Sequence, residues 1–177
     1  PEVVPPNPAG GTTVLVFDEP GKTQTEVQLA CPVQHVGNAP APAHTVLGTA
    51  LSNELSTILR ETAGVVYSPR AYAYSRLAGD AQAILGARVQ NSAAAFTVQT
   101  YRTLIDRMEK GEFSDDQILQ EKYAAAQKYI LSQQSVAQLA SRLEAAVGNQ
   151  RGWEYFGAYG ETLAGLGIAD LQEVLGS

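Results

Sequence analysis

A single cysteine, Cys31, is the whole thiol inventory of these 177 residues, which excludes an internal disulfide and any cysteine-built zinc cage. Histidine is almost as scarce. His35 and His44 are the two present, and their spacing does not set two imidazoles on one helical face, so both read as surface residues rather than metal ligands. Positive charge is also short: 12 Lys and Arg stand against 18 Asp and Glu, a formal net charge of −6, with no basic block anywhere. Nucleic acid and anionic membrane both need a basic footprint, so neither is an expected partner. No apolar run approaches the roughly 20 residues of a membrane-spanning helix. A soluble chain without membrane insertion is the expectation.

The familiar catalytic signatures are missing too. The chain has no H-x-x-E-H, no G-x-S-x-G, no P-loop and no G-x-G-x-x-G. Its glycine-rich stretches, "NPAGG" and "AGLG", lack the strand-turn-helix setting that phosphate binding requires. The nearest acidic pair, Asp115 and Asp116, falls in the first turn of a predicted helix, where the macrodipole favours it. No catalytic residue, metal ligand or bound cofactor is assigned to this chain.

What remains is a length and a 45% hydrophobic content that suit one domain with its own core. Residues 1–11, "PEVVPPNPAGG", read as a linker, and 12–177 as a single α+β domain cut from a longer two-domain half. "TTVLVF" and the alternating stretch from Thr23 to Ala30 predict two strands around a turn at Asp18 to Gly21. Val46, Leu47, Ala50, Leu51, Leu55, Ile58 and Leu59 share one face of a helix from His44 to Thr62, with Gly64 as its left-handed stop. "VVYSPRAYAYSR" alternates as a strand, at an edge or bulge because Pro69 cannot donate to a ladder, and Ala81 to Gln90 pairs with it through a turn at Leu77 to Asp80.

Helical periodicity takes over after Asn91. Phe96, Tyr101, Leu104, Ile105 and Met108 predict one buried face, and "FSDDQI" a capping box of Ser114 and Gln117 inside a staple of Phe113 and Ile118. A helix over about Ser135 to Val147, the aromatic cluster "WEYFGAY" and the amphipathic "IADLQEVLG" complete the chain. The order predicts an α+β fold: one mainly antiparallel sheet with helices packed on one face. On that sheet Arg70, Tyr72 and Tyr74 point the same way, either as the lining of a peptide groove or as a solvated face.

Three stretches carry a resemblance to a known family. "DEPGKTQTEVQLA" supplies Pro20, Gly21, Gln24, Thr25 and Val27; "VLGTALSNELSTILRETAGVVYSPRAYA" supplies Leu47, Gly48, Ser52, Leu55, Leu59, Arg60, Glu61, Gly64, Tyr67 and Ser68; "GEFSDDQILQEKYAAAQKYILSQQS" supplies Ser114, Gln117 and Ile118. In these the chain resembles the pitrilysin/insulinase family of zinc peptidases, which includes the mitochondrial processing peptidases. The likeness runs from about Thr12 onward. It departs from the family at Glu54, where a basic residue is common, and at "GVVY".

The resemblance implies an α+β half-domain without zinc ligands, working opposite a domain or subunit that carries H-x-x-E-H and the zinc. It also implies that Arg60 and Tyr67, seven positions apart, reach the peptide substrate beside the scissile bond. When a peptide carbonyl is attacked its oxygen gains negative charge, and a guanidinium and a phenol are suitable donors to it. The alternative within the same family is a structural, assembly-type domain in which Arg60 caps helix carbonyls and Tyr67 packs. The family's bacterial members are often periplasmic, and the composition does not oppose that location.

Overall fold

The computed structural model describes residues 13–33, 41–75, 81–148 and 154–176. The opening linker, His35, the turn at 77–80 and Trp153 lie outside them. β1 (Gln24–Pro32), β2 (Arg70–Ser75) and β3 (Ala81–Gln90) form a three-stranded sheet in the order β1-β3-β2, antiparallel throughout. Around it run α1 (Ala41–Ser56), a π-helical turn (Thr57–Thr62), a short 3-10 turn (Asn91–Ala93), α2 (Ala94–Glu109), α3 (Asp115–Ser132), α4 (Val136–Gly148), α5 (Glu154–Gly165) and α6 (Ile168–Leu175). The expected α+β architecture is the one observed.

Strand alternation decides which face meets the helices. Val27, Leu29 and Cys31 of β1 stand opposite Ala87, Leu85 and Ala83 of β3, and Ala71 and Ala73 of β2 stand opposite Leu85 and Ala83. Nearly all of these join or flank one apolar core. The reverse face carries Glu26, Gln28, Arg70, Tyr72, Tyr74 and Arg88. α1 is the central helix, packed against β2, α3, α6 and α2. Its Leu47, Leu51 and Leu55, with Leu59 just beyond, are fully buried, one face of a 3.6-residue period.

α1 comes very close to β2 at one point. A Cβ on Gly48 would lie 2.7 Å from the Ala73 nitrogen and 2.9 Å from the Tyr72 Cα. Only a residue without a side chain lets the helix axis settle at that distance. α2 is held to the sheet by the Tyr101 hydroxyl, which donates to the Val27 carbonyl at 3.2 Å. Burial, with Glu26 nearby, pushes the Tyr101 phenol above its ordinary range. At the start of α3 the Gln117 amide donates to the Ser114 hydroxyl at 3.2 Å, and the Ser114 amide to the Gln117 side chain at 2.9 Å. That is the expected capping box, with Phe113 and Ile118 both buried in the core.

Five expectations change. The run Val14 to Phe17 forms no strand: the turn after it closes, with the Lys22 amide on the Glu19 carbonyl and Gly21 at φ 86, yet these four side chains are 75–85% exposed. β-propensity alone does not make a strand, because a strand needs a neighbour to pair with. The first helix starts at Ala41 rather than His44, since Pro42 falls in the first turn, where a missing amide costs nothing. His44 is consequently buried rather than on the surface. Phe96 is 46% exposed; the buried stripe of α2 runs instead through Thr97, Tyr101, Leu104 and Met108. Finally β2 begins only at Arg70, directly after Pro69, so residues 65–69 are irregular rather than extended pairing.

Candidate functional site

The site grows from the end of α1. Its last turn is wider than an α-helical one: the Ala63 amide donates to the Ile58 carbonyl and the Val65 amide to the Leu59 carbonyl, both at 2.9 Å. Gly64, at φ 64, then turns the chain out of the helix in the left-handed conformation. Leu59 anchors the turn in the core while its neighbour Arg60 points to solvent. The chain returns through Val65 and Val66, both packed against the core, to Tyr67, which is 83% exposed.

Arg60 and Tyr67 meet there. The Arg60 Cζ lies 5.5 Å from the centre of the Tyr67 ring, within the range of a cation–π contact. Among the described residues neither the guanidinium nor the phenol hydroxyl has a hydrogen-bond or ion-pair partner. Both polar tips are therefore open to a ligand on the surface, and the ring between them is fixed on one side by the cation. Sequence spacing alone left a helix cap and a packed aromatic open as alternatives. In the structure Tyr67 is on the surface, and among the described residues Arg60 caps no carbonyl.

Arg70, Tyr72 and Tyr74 occupy the reverse face of the sheet, on β2. Arg70 lies across Gly86 of β3, whose absent side chain leaves room for the guanidinium. It reaches Glu26 of β1 at 2.6 Å. Arg88, directly opposite Glu26 in the register, approaches the same carboxylate at 3.5 Å. Tyr72 and Tyr74 stack with ring centres 6.3 Å apart. Their neighbour Glu26 was not singled out from the sequence. Alternation places it on the polar face of its strand, but its partners come from two other strands and emerge only with the pairing register.

A second polar group ties helices together. Glu54 pairs with Arg107 at 3.0 Å and accepts from the Gln117 side chain at 2.7 Å, while Asn53 donates to Glu121 at 2.7 Å. The acidic residue that departs from the family's common basic one is thus a link from α1 to α2 and α3. Among the described residues no three His, Cys, Asp or Glu side chains converge as a metal site.

No protein-family model matches this sequence, and no curated protein matches it either. Solved structures do. The peptidase M16 inactive domain from Pseudomonas fluorescens superposes with a TM-score of 0.73 at 14% identity, over 85% of this chain and 37% of that one. The periplasmic protease PqqL from Escherichia coli gives 0.68 at 15% identity, over 88% of this chain and 18% of its own. A chain of complex III2 from Candida albicans gives 0.68 at 12% identity, covering 88% and 40%. The chain has the fold of the M16 half-domain, and it spans well under half the length of these neighbours.

Proposed function

We propose that this domain is a non-catalytic, substrate-contacting member of a pitrilysin/insulinase-type zinc peptidase. In this reading Arg60 and Tyr67 bind the peptide beside the scissile bond. The hydrolytic centre, with its H-x-x-E-H and its zinc, belongs to a partner domain or subunit. One observation carries the reading: an exposed cation and an exposed phenol, stacked on each other, with no polar partner among the described residues. The fold shared with an inactive M16 domain supports it.

The chemistry required of the pair is hydrogen-bond donation. A carbonyl oxygen that gains charge on attack is held more tightly by a phenol O–H and a guanidinium N–H than the ground-state carbonyl is, which lowers the barrier. Arg70, Tyr72 and Tyr74 line the approach of the same peptide along the reverse face of the sheet. The isolated domain is expected to cleave nothing, with or without added zinc.

Tyr67→Phe in the complete peptidase tests the assignment. Removal of one such donor is expected to lower kcat by about 10²–10³, or about 2.7–4 kcal/mol of barrier, with KM changed far less. Unchanged turnover removes the site. A second reading, an assembly domain without substrate contact, is favoured by the complex III2 likeness. It predicts that neither the same polypeptide nor an adjacent reading frame contains H-x-x-E-H with a downstream glutamate.

A further inference from the structure

An α-helix advances about 100° per residue, so an arginine directly after the buried Leu59 has its direction set by how the helix ends. α1 and the turn after it keep Leu51, Leu55 and Leu59 in one buried row, four residues apart. Over Thr57–Thr62 it then takes up one extra residue per turn, closed by the bond from the Ala63 amide to the Ile58 carbonyl, five residues back. Such turns are rare and concentrate at functional positions. A Cβ added at Gly64 would meet nothing within 4 Å, so this glycine is needed for its φ of 64 and not for space.

We propose that this π-helical turn, closed by Gly64, is a positioning device that makes Arg60 and Tyr67 one unit. Arg60 holds the face of the Tyr67 ring and fixes where the phenol oxygen sits, while Thr57–Thr62 and Gly64 place Arg60. An ordinary α-helical ending brings the chain out of the helix one residue earlier and turns the guanidinium away from the ring. Arg60 acts on the peptide partly through Tyr67, so the two are not independent donors. The inference rests on the substrate-contact reading and adds to it the residues that set its geometry.

The test is a one-residue deletion, Thr57 removed from the exposed side of the turn, studied both in this chain and in the assembled peptidase. In the chain, the ring-current shift of the Arg60 side-chain protons and their cross-peaks to the Tyr67 ring report the contact by NMR. Expected are loss of both signals, a melting temperature equal to or above that of the parent, and in the peptidase a kcat at least tenfold lower with KM within about twofold. A merely structural turn lowers the melting temperature and leaves the ratio of kcat to folded protein unchanged, which overturns the proposal.

Persistence of the ring-current shift after the deletion overturns it as well. If the deletion does not fold, Gly64→Ala takes its place, read by the ring-current shift, the cross-peaks and the ratio of kcat to folded protein; its strain at positive φ lowers the melting temperature whatever the role of the turn, so that readout does not apply. Arg60→Lys supplies a further arm: an ammonium keeps a cation–π contact but not the planar guanidinium, so the ring contact is expected to persist in weakened form while kcat falls. The substrate-contact reading fails separately, through a Tyr67→Phe peptidase with unchanged kcat while the NMR contact behaves as described.

Discussion

Arg60 and Arg70 are both exposed arginines at the ends of one loop, yet their electrostatic situations are opposite. Arg70 shares a carboxylate with Arg88: Glu26 sits 2.6 Å from one guanidinium and 3.5 Å from the other, so the reverse face of the sheet meets its own need for charge. Among the described residues Arg60 has only the face of an aromatic ring, 5.5 Å away. A cation already paired gives up an existing interaction to bind a ligand, whereas a cation over a ring keeps its N–H groups to donate. Exposure alone does not rank candidate residues, and the inventory of partners does.

The largest expected effect removes the ground on which both regions stand. Gly48→Val puts a branched side chain where even a Cβ lies 2.7 Å from strand backbone, so α1 and β2 must separate. A loss of about 1–3 kcal/mol or more in unfolding free energy, read from urea denaturation, is expected. Next comes the direct contrast. Arg60→Ala in the assembled peptidase is expected to lower kcat at least tenfold, or about 1.4 kcal/mol of barrier, and Arg70→Ala to change it less than about twofold. Equal losses break the distinction between the two arginines.

The smallest effect sharpens it. Glu26→Gln releases Arg70 and Arg88 from their shared carboxylate. Because these groups are largely solvated, stability is expected to move by no more than about 1 kcal/mol. The difference should fade further above about 0.5 M salt, where charge screening is strong. Melting curves at two ionic strengths check it.

Local signals carried much of this structure. The capping box at Ser114 and Gln117, the left-handed Gly64 and the apolar row of α1 each depend on residues a few positions apart, and they are where periodicity and capping rules place them. Pairing of β2 with β3 was legible because a short hairpin is also nearly local. The misplaced features depend on partners distant in sequence. Val14 to Phe17 have strand propensity but no neighbouring strand among the described residues, and Phe96 lost its buried position to Thr97, which packs one residue further round α2.

The candidate site divides the same way. The family resemblance marked Arg60 and Tyr67 as a pair, but their contact follows a widened turn whose residues, "TILRET", read as ordinary helix. Glu26 was silent because a carboxylate on a polar strand face has no visible partner until the strands are registered. Gly48 was quoted only as part of a motif, and its close approach to Ala73 depends on how a helix lies on a sheet.

The unpaired run Val14 to Phe17 has a consequence for handling the protein. Four consecutive apolar side chains, exposed to 75–85%, with high β-propensity and no charge, are the composition from which stacked cross-β assemblies grow. The chain follows them at once with Asp18, Glu19 and Pro20. Two carboxylates repel their copies in any in-register stack, and a proline withholds the amide that the next layer would require. Asp18, Glu19 and Pro20 thus stand where gatekeeper residues flank such runs, beside a segment left uncovered among the described residues.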